Sequence, residues 1–443
     1  MIPIATFFLL MLVSSNNLLS LFVTLEGSTL CLYVLAALHV DNRLSIESGL
    51  KYFLTSAVFS CIFGASCFLI YFLIGSTDFY TIRETIYVLL TENNVWTLYS
   101  LDYLLIVAVL MVIIVFLMKL GSVPYHFWIG DIYQGTSIIV MTFFATIVRI
   151  SFFSIFFKLV CNVFFYMQFT EVFVNILNLS GFLSIIIGSF LALSQTEIKR
   201  FLAYSSIVHT GFILIGLSTM SFDGFKSSVL YMIIYIFVLL GFLICFMLLE
   251  SQKVQRISNR LVLKVSNIKD LPEFKNLLIG GQLIFTFFFF SMAGLPPFPG
   301  FIIKLYVFKD YLFSLFYEIA EYNLNLQVET SYYYFSFLLF TGAVIISILV
   351  AFNYIRIIGI YILNQKEVIN DAPIFDKVSL FNLGSQMNRV IIFFLIFCNF
   401  ILMVFTPSFY SSDYYDSVIN GLLYYCGNTN LINILIETFV NAK

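Results

Sequence analysis

Lys119, Arg149 and Lys304 are ionisable residues set deep inside apolar stretches of the chain. A charge in hydrocarbon costs about 3 kcal/mol or more, so such a residue usually marks an ion path or relay. Two of the three adjoin Gly/Pro interruptions that would break a membrane helix. Lys119 stands before Gly121 and Pro124, and Lys304 stands after Gly294, Pro296, Pro297, Pro299 and Gly300. The interruptions run in opposite order, the lysine preceding Pro124 by five residues in one and following Pro299 by five in the other. Paired broken helices in two halves of one chain point to transport rather than to chemistry on a soluble substrate. A desolvated ammonium can release its proton near neutrality, which suits both lysines to proton relay. For Lys304, snorkelling toward an interface is the alternative. Arg149 keeps its proton in any protein setting, so its expected role is a fixed charge.

Further polar residues accompany this series. Glu26, in Leu25-Glu26-Gly27-Ser28, has no basic residue within one helical turn. A carboxylate there must be protonated, hydrated or paired with a cation from another helix. Pairing with Lys119 makes it part of a relay; a static ion pair that fixes helix packing is the other reading. Ser205, Ser206 and His209 form a polar stripe at helical i, i+3 and i+4 spacing. Such a stripe serves either as interhelical hydrogen-bonding glue or as a place to hold water and pass protons, and spacing leaves both open. Lys51 reads most simply as an interfacial anchor, and with His126 it completes the secondary candidates for relay or hydration.

The elements that must position these residues are membrane helices. Hydrophobic residues make up 61% of the chain and charged ones 10%, against roughly 25% charged in soluble domains. The chain reads as an all-α polytopic membrane protein. Runs of about 20 apolar residues place spans near 2 to 15, 17 to 39, 50 to 75, 98 to 129, 136 to 160, 172 to 194, 199 to 219, 226 to 250, 276 to 314, 332 to 363 and 389 to 410. That makes about eleven transmembrane helices, with the fourth and ninth long enough to be discontinuous. Equivalent points in the two breaks are five helices apart, and an odd repeat length inverts the second copy across the membrane. The expected organisation is one antiporter-like domain over 1 to 410: repeat one over about 2 to 160, repeat two over about 172 to 363 and a final helix at 389 to 410, followed by a tail at 411 to 443.

Charge placement sets the expected orientation. Arg43, Lys199, Arg200, Lys253, Arg256, Arg260, Lys264, Lys269, Lys275, Lys366 and Lys377 fall in loops on one side; the other side holds little beyond Arg83 and Lys226. The positive-inside rule then puts the N-terminus on the cytoplasmic or matrix side and the C-terminus outside. No basic face for nucleic acid is visible. The opening Met-Ile-Pro-Ile lacks a basic n-region, which argues against a cleaved secretory signal. Seven cysteines and three histidines show no metal spacing, and no redox centre is expected in the chain. Heavy use of Phe, Ile, Tyr and Asn, with 54 Phe, suits an AT-rich organellar gene.

Three ordered motifs carry a family resemblance. Lys119 is followed by Pro124-Tyr125-His126-Phe127-Trp128, Asp131-Ile132-Tyr133-Gln134-Gly135 and Ala145-Thr146-Ile147-Val148-Arg149. Ser194-Gln195 leads through Ile198-Lys199-Arg200 to Ser205-Ser206-Ile207-Val208-His209-Thr210-Gly211. Ser291-Met292-Ala293-Gly294-Leu295-Pro296 leads to Gly300-Phe301-Ile302-Ile303-Lys304. The chain resembles, over nearly its whole length, the antiporter-like membrane subunits of respiratory complex I, and within them the subunit 2 family whose bacterial counterpart is subunit N.

The resemblance implies a proton-translocating membrane-arm subunit of NADH:ubiquinone oxidoreductase in the mitochondrial inner membrane. The N-terminus would face the matrix and the C-terminus the intermembrane space. Glu26, Lys119, Arg149 and Lys304 would form the relay, driven by quinone reduction elsewhere in the complex. FMN, iron-sulfur clusters and ubiquinone would sit on partner subunits, with no cofactor or metal in this chain. Its partners would be other membrane-arm subunits, antiporter-like ones included, and membrane lipids. The first helix would correspond to the family's fourth, so three N-terminal helices would be lost or supplied by a separate chain. Two departures stand out: the linker lacks the prolines expected before Asp131 and after Gly135, and Arg149 replaces a lysine. Stand-alone sodium/proton antiporter subunits look similar, and a structural complex I subunit that has stopped pumping is a third reading.

Overall fold

The structure, a computed structural model, describes residues 1–39, 41–91, 99–164, 171–256, 268, 281–324, 330–363 and 396. The final helix expected at 389 to 410, the tail at 411 to 443, Lys366, Lys377 and most of the basic segment 251 to 275 lie outside the described residues. Among the described residues every regular element is helical. Seven of these helical spans are long and apolar enough to cross a membrane: Leu18–Ala36, Arg43–Ile74, Ile138–Cys161, Val172–Ser194, Ile198–Ser218, Phe222–Met247 and Ser336–Ile362. The described residues fall into two compact units, one within Met1–Trp128 and Ile147–Ser180, the other within Ile129–Thr146 and Gly181–Pro407.

The first unit begins with α1 (Ile2–Ser14) and α2 (Leu18–Ala36), joined by a short turn. Asn17 starts α2: its side-chain oxygen accepts from the Leu19 amide at 2.9 Å, filling one of the donors left open at a helix start. Its amide group also donates to Asp78 at 2.9 Å. The turn is held from another helix by Lys158, which donates to the Ser15 carbonyl at 2.7 Å and to Asn16 at 2.6 Å. Helix α3 (Arg43–Ile74) starts at Arg43 rather than near 50 and ends at Gly75, whose φ of 78° provides the left-handed turn that stops it.

Helix α4 (Phe79–Thr91) was not among the expected spans. Its 13 residues rise only about 20 Å, and Arg83 and Glu84 interrupt its apolar character. A window sized for hydrocarbon therefore passes over it. It holds its place by burying Phe79, Ile82 and Ile86 on one face.

The expected fourth span is two helices, α5 (Tyr99–Leu120) and α6 (Phe127–Gly135). After them run α7 (Ile138–Phe143), a π-helical turn over Phe144–Val148, α8 (Arg149–Lys158) and a second π turn over Leu159–Val163. Helices α9 (Glu171–Ser194), α10 (Ile198–Ser218) and α11 (Phe222–Arg256) come next. Within the second unit Gly181 and Gly188 on α9 abut the backbone of α10 at Gly211 and Tyr204, where any Cβ would crowd the partner helix. Small residues at such crossings let membrane helices approach to backbone contact. The expected ninth span is also two helices, α12 (Gly281–Ala293) and α13 (Pro299–Leu324), and α14 (Thr330–Leu363) closes the described series.

Candidate functional site

Both helix breaks use the same backbone device. At the end of α5 the Gly121 amide donates to the Met118 carbonyl at 2.9 Å and the Ser122 amide to Leu117 at 2.9 Å. At the end of α12 the Gly294 amide donates to the Ser291 carbonyl at 3.2 Å and the Leu295 amide to Phe290 at 3.3 Å. Each pair is a Schellman ending, which needs a left-handed residue at its centre. Gly121 and Gly294 supply it, both with φ 73°. The prolines downstream, Pro124 in one break and Pro296, Pro297 and Pro299 in the other, have no amide with which to continue the first half-helix.

A broken helix leaves carbonyls that hydrocarbon cannot satisfy, and at each break side chains add to the backbone bonds of the helix ending. In the first, the Trp128 indole N–H donates to the Met118 carbonyl at 3.1 Å, and the Ser122 hydroxyl donates to Leu117 at 3.0 Å. In the second, the Lys304 ammonium reaches back from α13 and donates to the Ala293 carbonyl at 2.8 Å. Lys304 is 6% exposed and its nitrogen lies 5.4 Å from the centre of the Phe212 ring. Lys119, also 6% exposed, occupies the last turn of α5 with its nitrogen 6.0 Å from the Tyr52 ring.

These placements explain how two ammonium groups are tolerated. A lysine at mid-membrane costs about 3 kcal/mol. A charged hydrogen bond returns about 1.5–3 kcal/mol, a desolvated cation–π contact about 1–2 kcal/mol, and the negative end of a half-helix up to about 1 kcal/mol. For Lys304 these terms offset the cost of burial, while Lys119 has the helix end, the Tyr52 ring and the nearby Glu26 carboxylate.

The remaining predicted residues separate into groups. Glu26 is half-buried on α2 and acts electrostatically on Lys119 within the first unit. Arg149 is buried at the start of α8, directly after the π turn Phe144–Val148. A π turn inserts a residue and re-aims the side chains beyond it, and such turns collect at functional sites. Lys51 is half-exposed and ion-pairs with Glu47 at 2.6 Å one turn earlier on α3, as an interfacial anchor would. His126 is half-buried within the first break, its ring tilted against Phe127.

In the second unit His209 is 3% exposed and gripped by three tyrosines. Its Nδ1 lies 2.9 Å from the Tyr231 hydroxyl and its Nε2 3.0 Å from that of Tyr354, while the Tyr235 ring stacks on it at 4.4 Å. The Tyr354 hydroxyl also hydrogen-bonds Ser205. Ser206 instead donates back to the Ala203 carbonyl of its own helix at 2.6 Å. One small cavity, with room for about one water, joins His209, Tyr231 and Tyr235 to Ser291, Gly300 and Lys304. The Ser291 hydroxyl on its wall is buried with no hydrogen-bond partner among the described residues.

A hydrogen-bonded series thus runs from Ser205 through Tyr354 and His209 to Tyr231, with Lys304 across a water-sized gap. Every member can both give and take a proton, as relay requires. The tyrosines escaped the sequence reading because Tyr354 meets His209 only through tertiary packing. Tyr231 and Tyr235 share a helix face, but among 27 tyrosines that spacing carries no signal by itself.

The linker between the first break and α7 is also anchored. Arg200 pairs with Asp131 at 3.0 Å, and Lys199 donates to the Thr136 carbonyl at 2.7 Å. Side chains from the start of α10 thus pin both ends of the segment that lacks the expected prolines. Among the described residues no three of His, Cys, Asp and Glu gather as a metal site.

Two discontinuous helices, each bearing a buried lysine, define a polytopic membrane protein of the broken-helix kind. Residues 15–320 match the family described as NADH:quinone oxidoreductase/Mrp antiporter, transmembrane, and the chain belongs to that family. Subunit N of an NADH-quinone oxidoreductase from Pelagibacter ubique is 32% identical over 329 residues, covering 74% of this chain and 64% of that protein. The chain therefore spans a little under two thirds of that relative's length. Among solved structures, a chain of respiratory complex I from Thermus thermophilus shares the fold at a TM-score of 0.62, with 22% identity over 92% of this chain and 78% of that one. A chain of the Mrp complex from a Dietzia species does so at 0.65, with 16% identity over 93% of this chain and 76% of that one.

Proposed function

We propose that this chain is a proton-translocating membrane-arm subunit of an NADH:quinone oxidoreductase. The observation that carries the reading is the repeated site: two identical helix endings, each with a buried lysine, one of them joined through a water-sized cavity to a hydrogen-bonded histidine. Glu26, Lys119, Arg149 and Lys304 form the relay, with the Ser205, Tyr354, His209 and Tyr231 series serving Lys304. Arg149 sets the field without itself exchanging protons. Redox energy enters through flavin, iron-sulfur clusters and quinone on partner subunits.

The proposed setting is the mitochondrial inner membrane, with the N-terminus on the matrix side and the C-terminus on the intermembrane side. The Phe-rich composition and the one-sided distribution of Lys and Arg support it. Apolar residues exposed on α3 and α14, among them Phe68, Phe72, Ile345 and Ile348, support contact with lipid or with neighbouring membrane subunits.

A stand-alone cation/proton antiporter is the second reading, since an Mrp chain shares the fold. The 32% identity to a subunit N favours the first. Native electrophoresis of solubilised membranes separates them. Co-migration with a large NADH-oxidising assembly is expected; a small complex without that activity supports the antiporter. In the assembled enzyme Lys119→Met is expected to lower the protons moved per NADH, and an unchanged ratio at normal abundance contradicts the proposal.

A further inference from the structure

Two buried charges in the second unit have no part in the relay of Glu26, Lys119, Arg149 and Lys304. Asp310 on α13 is 4% exposed and Lys226 on α11 is 6% exposed. Helix α13 packs against both α10 and α11, and α10 against α11.

Contacts between these helices fix the relative depths. His209 and Phe212 on α10 meet, in the same order, the Lys304 cavity and the Phe308 ring on α13, so the two helices run in one direction. Asp310 lies two residues beyond Phe308. Gly216 on α10 abuts Gly224 and Ser228 on α11, which sets Lys226 level with Gly216, four residues beyond Phe212. The two charged residues thus stand within about 3 Å of the same depth. Both lie farther along α13 and α10 than the Lys304 cavity, with Asp310 displaced from Lys304 by about 9 Å of helix rise. The Lys226 nitrogen is 3.7 Å from Asp223, whose side chain is 67% exposed. Around them the α10–α11 turn is rich in hydroxyls: Ser218, Ser227 and Ser228 are buried, and the hydroxyls of Thr219 and Ser221 lie 3.0 Å apart.

We propose that Asp310, Lys226 and Asp223 form the outlet of the Lys304 half of the path, leading from the cavity to the surface at the α10–α11 turn. This rests on the proton-translocating reading and adds residues to it. The Lys304 ammonium gives its proton to the Asp310 carboxylate, leaving a neutral amine and a neutral acid. The helix rise between them is one that about two hydrogen-bonded waters span. Asp310 then releases the proton to the Asp223 carboxylate, which passes it to bulk water, and Lys304 is reprotonated from the His209 side. Lys226 keeps its own proton throughout. Lying at the depth of one carboxylate and beside the other, it steadies whichever is ionised.

The test compares Asp310→Asn with Lys304→Met in the assembled enzyme, reading protons moved per NADH oxidised. Both are expected to lower the ratio, and Asp310→Glu to restore it. If Lys304→Met lowers the ratio while Asp310→Asn, at normal abundance, leaves it unchanged, the outlet is overturned and the relay stands. If neither changes it, the relay itself fails. Should Asp310→Asn not assemble, the unmodified enzyme is treated with a hydrophobic carbodiimide, which captures protonated buried carboxyls, and Asp310 is followed by mass spectrometry. Labelling that changes with NADH turnover supports the outlet, and labelling that is absent or indifferent to turnover overturns it.

Discussion

Gly294 offers a way to disturb the second break without replacing a titratable group. Replacing it by alanine places a side chain in a backbone conformation of φ 73°, at a cost of about 1–2 kcal/mol. The new Cβ would lie 2.7 Å from the Lys304 nitrogen and 3.0 Å from its Cδ and Cε. Those atoms are the far end of a flexible side chain, so the helix can persist while the ammonium is pushed off the Ala293 carbonyl. The hydrogen bond lost is worth about 2 kcal/mol, or roughly a 30-fold change in occupancy of that position. Gly294→Ala is therefore expected to leave the enzyme assembled, with modestly lower thermal stability, and to reduce protons moved per NADH in sealed vesicles. Gly359→Ala is the control, because a Cβ there meets nothing within 4 Å. Normal pumping by an assembled Gly294→Ala enzyme, matching the control, refutes the idea that the Lys304 contact at the break matters.

Three other substitutions probe the same geometry. Tyr354→Phe removes the hydroxyl 3.0 Å from His209 Nε2 and leaves a buried nitrogen short of a partner, at about 1–3 kcal/mol; abundance should hold while pumping falls. Trp128→Phe deletes the indole donor to Met118 in the first break; that carbonyl keeps the Gly121 amide, so the loss is about 1 kcal/mol and should appear as slightly lower thermal stability of the assembled enzyme. Arg200→Gln breaks a pair whose members are 36% and 31% exposed; screened ion pairs of this kind contribute less than about 1 kcal/mol, so abundance and pumping should stay near those of the parent.

The long apolar spans and both breaks were legible because hydrocarbon length and Gly/Pro chemistry are local properties. Lys119 and Lys304 stood out for the same reason, as charges where charge is costly. Helix α4 was not legible: it is too short and too polar for a span, and it stays in place through a buried face that only packing reveals. The π turn before Arg149 has no composition of its own, since Phe144–Val148 reads like the helix on either side. Tyr354 lies far along the chain from His209, and Asp310 matches the depth of Lys226 only once α10, α11 and α13 are in register. The Lys304 contact with Ala293 lies between these cases. The sequence placed the lysine just after the break, but the reach back to the other half-helix is tertiary.

The most direct measurement is the number of protons moved per NADH oxidised by an assembled enzyme carrying Lys304→Met, with abundance checked on a native gel. A buried lysine that relays protons predicts a lower ratio at normal abundance. A ratio equal to that of the unmodified enzyme would mean that Lys304 serves only to hold the broken helix together.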